Sequence, residues 1–274
     1  MKIAIVTGAN KGVGFGIVET LARNLGSSPE WHIYLTARNE KLGRAAADGL
    51  RNQGLSVYFH QLDITDPQSR QRLRTYVQET YSEGIGILIN NAGIAPAGPT
   101  LGDEARDTLA TNYFGTMAMC REFLPLMAKN SRLINLSSSI VVRGLKIMND
   151  RLYTKFTSPI KMEELDELMR EFIKDSEFGD SREKGWPDTA YMVSKLGITK
   201  GTFILAEEYK DDPRHILINA CCPGFVNTDM THYMANLTIL EGADTPCYLA
   251  LLPPNATEPH GQMISHRKPM RWSR

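Results

Sequence analysis

A short apolar run, Ile3-Ala4-Ile5-Val6-Thr7, breaks straight into Gly8-Ala9-Asn10-Lys11-Gly12-Val13-Gly14, and a helical stripe follows through Val13, Ile17, Val18 and Leu21. No other feature limits the fold as much. The run is β-branched and bounded by glycine, so it reads as a strand, Ile3–Thr7, buried on both faces. Strand, glycine turn and helix (Gly12–Asn24) in that order open a βαβ unit, whose strands lie parallel.

The alternation continues along the chain. The patterning predicts strands over Trp31–Ala37, Val57–His60, Ile85–Asn90, Arg132–Ser137 and Ile216–Ala220, with a last short one over Gln262–Ser265. Helices are expected over Glu40–Gln53, from Asp66-Pro67 onward (a good N-cap and first-turn pair), over Thr108–Lys129 and over Thr189–Tyr209. Strands alternating with long helices imply an α/β fold with a doubly wound, Rossmann-like parallel sheet. No repeat, low-complexity tract or composition shift marks a linker, so the 274 residues read as a single domain.

Lys and Arg number 31, as do Asp and Glu. A balanced charge gives no electrostatic reason to expect a nucleic-acid or membrane partner. The N-terminal apolar run is too short for a signal peptide, and no stretch approaches the roughly 20 apolar residues of a bilayer span. Four cysteines, two of them adjacent (Cys221 and Cys222), form no Cys-x-x-Cys or Cys/His cluster. They read as reduced thiols of a cytoplasmic protein. The six histidines show no metal spacing; His215, His232 and His260 read as surface or packing residues.

Two constellations carry chemistry. Glycines in the Gly8–Gly14 turn let the backbone approach a pyrophosphate, whose charge is favoured at the N-terminus of the helix that follows. Tyr191 and Lys195 stand at i and i+4, on one face of a helix. A cation beside a phenol favours the phenolate and draws the tyrosine from its ordinary pKa of about 10 toward the working pH. The second strand ends Leu35-Thr36-Ala37-Arg38, with no carboxylate at its tip to take a ribose hydroxyl. Arg38 instead offers a planar fork suited to a 2′-phosphate, and Lys11 adds a second positive charge. The cofactor is therefore expected to be NADPH/NADP.

The spacing Thr7-Gly8-x-x-x-Gly12-x-Gly14 resembles that of the short-chain dehydrogenase/reductase family, and the resemblance runs along essentially the whole chain. Asn90-Asn91-Ala92-Gly93, Asn112 in Thr111-Asn112-Tyr113-Phe114-Gly115, Ser138 in Asn135-Leu136-Ser137-Ser138, the Tyr191–Lys195 pair, and Pro223-Gly224 with Thr228 follow in the family's order. The resemblance implies a hydride-transfer enzyme in which Tyr191 donates the proton and Lys195 supports it and holds the nicotinamide ribose. Ser138 would hold the substrate oxygen, and Asn112 would anchor a water leading to solvent. Ser137 and Ser139 flank the chosen serine and are expected to be structural. Implied cofactor contacts are Asn10, Lys11 and Val13 within the loop, Leu62 with Asp63 at the adenine end, Asn91, Ala92 and Gly93, and Pro223, Gly224, Val226 and Thr228.

Fifty-three residues separate Ser138 from Tyr191, far more than is usual in the family. Ser158-Pro159 looks like a helix start, and Met162, Leu165, Leu168, Met169, Phe172 and Ile173 recur at spacings of three and four, with Gly179 beyond the end. A helical insertion over residues 143–187 is therefore expected before the catalytic helix. With Lys184-Gly185-Trp186-Pro187, Asn219-Ala220-Cys221-Cys222 and Leu249-Ala250-Leu251-Leu252-Pro253-Pro254, it is similar to the monomeric, NADPH-dependent carbonyl reductase branch. That likeness implies a monomer acting on small-molecule carbonyl substrates: aldehydes, ketones and quinones. Ile140 stands where the branch has methionine and Phe225 where it often has tryptophan, so both are expected to line the substrate pocket. A dedicated reductase of one steroid, prostaglandin or pteridine ketone shares every motif, and a silent NADP-binding sensor stays open as a third reading.

Overall fold

The computed structural model describes residues 1–95 and 101–274. Strand β1 (Lys2–Val6) sends Ile3 and Ile5 into the core on one face and Ala4 and Val6 into the core on the other, all four fully buried. An apolar run read with period two produces this outcome. β1 pairs in parallel with β2 (Trp31–Ala37), and β3 (Tyr58–Gln61) extends the sheet beyond β2. On the other side of β1 come β4 (Ile85–Asn90), β5 (Met127–Leu136), β6 (Leu217–Cys222) and β7 (Met263–Ser265), all parallel. A two-residue β8 (Lys268–Pro269) closes that edge antiparallel. In the order β3-β2-β1-β4-β5-β6-β7-β8 the winding reverses between β1 and β4. A doubly wound sheet leaves a crevice at that point, beyond the carboxyl ends of the strands.

The helices are α1 (Gly12–Leu25), α2 (Glu40–Arg51), α3 (Pro67–Thr80), α4 (Leu101–Thr108), α5 (Thr116–Phe123), α6 (Ile140–Ile147), α7 (Asp150–Thr157), α8 (Met162–Phe178), α9 (Ala190–Glu208) and α10 (Ile239–Ala250). Apolar residues of α1, α2 and α10 pack on one face of the sheet, and those of α3, α4, α5, α8 and α9 on the other. Asp66 accepts from Gln68 N at 2.9 Å with Pro67 in the first turn of α3, the start that the sequence marks. None of the helices among the described residues is long and apolar enough to cross a membrane.

Two sequence expectations are corrected. The long helix over Thr108–Lys129 is broken: α4 ends at Thr108, a π-helical turn covers Leu109–Gly115, and α5 stops at Phe123. Pro125 has no N–H to continue a helix, and Met127 then pairs with Ile85 as the start of β5. Ser158-Pro159 ends a helix instead of starting one. Ser158 N donates to Thr154 O at the end of α7, and α8 begins four residues later, with Lys161 N donating to the Glu164 carboxylate at 2.9 Å.

The methionine-rich stripe does pack. Leu165, Met169 and Phe172 of α8 are fully buried, and Gly179, with φ 82°, terminates the helix in the left-handed region. α9 is buried on nearly all sides, 15 of its 19 residues being removed from solvent. A Cβ at Gly197 would stand 2.8 Å from both Met169 Sδ and Tyr113 Cδ2, so the missing side chain is what lets α8 and the π-turn close on α9.

Candidate active site

The Thr189 hydroxyl accepts from Met192 N at 3.2 Å and starts α9, so that Tyr191 falls in its first turn and Lys195 one turn on. The segment preceding α9 is tied down by Asp175, which accepts from Trp186 Nε1 at 2.9 Å and from Lys184 Nζ at 2.6 Å. Lys195 is 5% exposed and donates from Nζ to Leu136 O, at the end of β5, at 2.8 Å. Its ammonium lies 5.4 Å from the centroid of the Tyr191 ring.

Burial decides the titration of both groups. It pulls Lys195 down to about 8, with Cys222 and Cys221 opposing. It pushes Tyr191 up to about 12; Cys222 adds to that, and a hydrogen bond with Ser138 works against it. The expectation that Lys195 draws Tyr191 toward neutrality is therefore corrected. The lysine is itself desolvated and spends a hydrogen on a carbonyl, so its charge does not overcome the burial of the phenol. Tyr191 keeps its proton at neutral pH, the state in which it can act as an acid.

The three serines after β5 differ in what they touch, and of the three Ser137 lines the cleft described below. Ser137 is buried and bonded to Thr199 Oγ1 (2.6 Å) and Lys195 O (3.1 Å), which fixes α9 against the sheet. Ser138 bonds Tyr191 and accepts from Ile140 N at 3.3 Å; Ser139 is exposed. The Asn112 side chain sits in the π-turn, fully buried. It takes both backbone groups of Ile94 at 2.8 Å and donates to Ser194 Oγ at 3.0 Å, which in turn donates to Tyr191 O at 2.7 Å. All the amide hydrogens of Asn112 that bond at this junction are thus spent on protein groups.

A cleft of about 890 Å³ opens at the carboxyl ends of β1 and β4. Tyr191, Lys195 and Ser137 stand in its wall at one end, and Arg38, Leu62 and Asp63 at the other. Between them run Gly8, Asn10, Lys11, Gly12, Val13 and Gly14, facing Asn91, Ala92 and Gly93. The loop sits hard against β4: a Cβ at Gly14 would lie 2.4 Å from Asn91 Nδ2, whose hydrogens are donated to Thr7 O and Gly8 O. Lys11 at the head of α1 offers no side-chain cap, and no acidic residue lies in the first turn. The helix N-terminus therefore presents bare amides to the cleft, the arrangement that suits a phosphate.

The charges at the adenine end differ from one another. No ion pair among the described residues involves Arg38, whereas the Lys11 ammonium is paired with Asp229, and Asp229 is also bonded to the Tyr233 hydroxyl. That pairing holds the Asp229 carboxyl below its ordinary range. Lys11 thus stands in the cleft wall as a cation already paired with Asp229. Asp63 accepts from Thr65 N at 2.9 Å and from Thr65 Oγ1 at 2.7 Å, which orients its carboxylate in the wall.

After β6, Pro223 and Thr228 line the cleft, but Gly224 and Val226 do not. Val226 is buried in packing against Gly242 and bridged to Leu237. Phe225 is 61% exposed and stands outside the cleft wall, and Ile140 is half-buried at the head of α6. The chain turns outward at Gly224 (φ 87°), and the wall is built instead by Asn227, Asp229, Met230 and Tyr233. Sequence reading missed these four, and Ile94 as well. Asp229 adjoins Thr228 and could have been found as a carboxylate opposite a glycine-loop lysine; the others leave no signal of spacing. Cys221 and Cys222 are both buried, and Cys222 Sγ accepts from Gly224 N at 3.3 Å.

One continuous cleft therefore carries bare helix-end amides, a guanidinium with no ion pair among the described residues and a protonated phenol bonded to a serine. Residues 2–149 match the family model of the short chain dehydrogenases. Over 277 residues the chain is 45% identical to carbonyl reductase (NADPH) 3 of Mus musculus, covering 99% of this chain and 98% of that protein. Over 280 residues it is 45% identical to carbonyl reductase (NADPH) 1 of Homo sapiens, covering 99% of each. Among solved structures, salutaridine reductase from Papaver somniferum superposes with a TM-score of 0.85 at 27% identity, covering 96% of this chain and 99% of that one.

Proposed function

The chain belongs to the short-chain dehydrogenase/reductase family, and on that premise we propose that it reduces carbonyl compounds to alcohols with NADPH. The substrates are aldehydes, ketones and quinones. The observation that carries this reading is the continuity of the cleft, which runs from Arg38 to Tyr191 and Lys195 without a break. NADPH, when bound, supplies the hydride. The amides at the head of α1 would hold its pyrophosphate, Arg38 its 2′-phosphate, Asp63 its adenine end and Lys195 its nicotinamide ribose.

Tyr191 delivers the proton to the substrate oxygen as that oxygen gains negative charge. An alkoxide is far more basic than a phenolate, so a tyrosine with a pKa of about 12 still transfers its proton downhill. Ser138, bonded to Tyr191, holds the same oxygen and shares its charge. Lys195 places positive charge beside the phenolate left behind, and Asn112 keeps the first turn of α9 and the Ile94 loop in register.

Oxidation of NADPH by a simple quinone tests the reading, and a protein inert toward quinones, aldehydes and ketones alike would overturn it. The same assay with NADH tests Arg38. Arg38→Ala should raise the KM for NADPH roughly 10- to 100-fold, the equivalent of a lost charge-assisted contact, and leave that for NADH within about twofold. Equal loss with both cofactors would remove Arg38 from the 2′-phosphate.

We read residues 143–187 as an insertion that covers the face on which related chains dimerise, and the protein as a monomer. Packing of α8 against α9 and α4 supports this. Light scattering should give 30.6 kDa; twice that mass would refute it. Four unbridged thiols support a reducing compartment, read here as the cytoplasm.

A further inference from the structure

The π-turn Leu109–Gly115 is wider than the helices it joins, and turns of this kind are rare and recur at functional sites. Two adjacent residues anchor it in different directions. Asn112 reaches Ile94 and Ser194, as described. Tyr113, fully buried, lies against α9 where Gly197 has no side chain, and its hydroxyl donates to Asp166 Oδ1 on α8 at 2.7 Å. The other oxygen of Asp166 accepts from the Arg121 guanidinium on α5 at 2.6 Å. One carboxylate on the inserted helix therefore grips the π-turn and the helix that follows it.

We propose that Asp166 and Tyr113 are positioning residues for carbonyl reduction: they hold the π-turn in the register that keeps Asn112 on Ile94 and Ser194, and through Ser194 keep the first turn of α9 in place. On this account the insertion does more than cover a surface; it braces the asparagine that braces the tyrosine. The inference rests on the reading of Asn112 and Tyr191 given above. Burial and the neighbouring Asp166 charge both push the Tyr113 phenol up, so it stays a donor across the working range; Arg121 and Arg170 are the cations facing it.

The test uses the whole 274-residue chain and three variants. Tyr113→Phe should lower kcat roughly tenfold, the effect of a small misplacement at the reacting centre. NADPH affinity should stay within about twofold, and the pH profile of kcat/KM should move. Asp166→Asn keeps one acceptor oxygen for Tyr113 but gives up the Arg121 contact, and should lower kcat less than Tyr113→Phe does. Leu165→Ala, an apolar truncation on α8, should lower Tm and leave both kcat and the pH profile unchanged. A wild-type kcat and pH profile in Tyr113→Phe would overturn the proposal, as would the same losses in Leu165→Ala. A second readout does not depend on turnover: the NMR signals of the Asn112 side-chain amide should shift in Tyr113→Phe and hold still in Leu165→Ala. If the wild-type protein proves inert toward carbonyls, the functional reading fails by itself. The amide signals then decide the bracing, and unmoved signals in Tyr113→Phe would end it.

Discussion

Tyr191→Phe should lower kcat by about a thousandfold, within the range of a lost general acid, while NADPH affinity stays within about twofold. The substitution removes a single oxygen. Phenylalanine keeps the ring and its contact with the Lys195 ammonium at 5.4 Å, so the cleft wall is unchanged where NADPH would lie. What disappears is the proton held for transfer and the partner of Ser138. No neighbouring group replaces it: Lys195 is committed to Leu136 O, and Ser137 to Thr199 and Lys195 O. Steady-state kinetics with a quinone, together with a fluorescence titration of NADPH, separate the two effects. Retention of wild-type kcat would assign the acid to another residue.

Lys195→Met should do two opposite things. Activity and NADPH affinity should both fall, because on the function proposed above the same ammonium supports the phenolate and holds the ribose. Stability at pH 7 rises. Lys195 has a folded-state pKa of about 8 against an ordinary 10.5. Below pH 8 the folded and unfolded chains both bind the proton, and the fold bears the full penalty of a buried charge with no carboxylate partner among the described residues. Between pH 8 and 10.5 the unfolded chain binds more protons, so the contribution of this group improves as pH rises. The whole swing is about 3 kcal/mol. The methionine variant should thus be about 1–3 kcal/mol more stable at pH 7, and the gain should shrink toward pH 10. Urea unfolding at the two pH values decides it, and a variant less stable at pH 7 would contradict the account. Activity that falls as pH rises through about 8 in the wild-type enzyme is the kinetic side of the same titration.

Much of the fold was legible because apolar period encodes burial directly. Ile3 to Val6 and the stripe through Val13, Ile17 and Leu21 leave little freedom, and the doubly wound sheet follows from their repetition. The start of β5 was not legible: Met127, Ala128 and Lys129 are good helix formers, and only pairing with Ile85 makes a strand of them. Ser158-Pro159 misled because a proline that can open a helix also ends the one before it. At the site, Tyr191, Lys195, Ser138 and the glycine loop stand in motifs that survive in one dimension. The Lys11–Asp229 and Tyr113–Asp166 contacts join residues 218 and 53 apart, and no spacing rule connects them. The direction of the Tyr191 shift is hidden from the sequence for a similar reason. It depends on how deeply the phenol and its lysine are buried, and burial belongs to the packed molecule.

The near-complete enclosure of α9 has a consequence for how the molecule loses activity. Amide protons of a helix with so little contact with water exchange mainly when the whole chain opens. The Tyr191–Lys195 geometry is then as durable as the fold itself. The segment after Thr228, with Met230 45%, Tyr233 66% and Met234 73% exposed, buries far less and is expected to open at a lower free energy. Warming should therefore loosen this side of the cleft before it disturbs the alignment of Tyr191 and Lys195, so the first activity lost on heating should return on cooling.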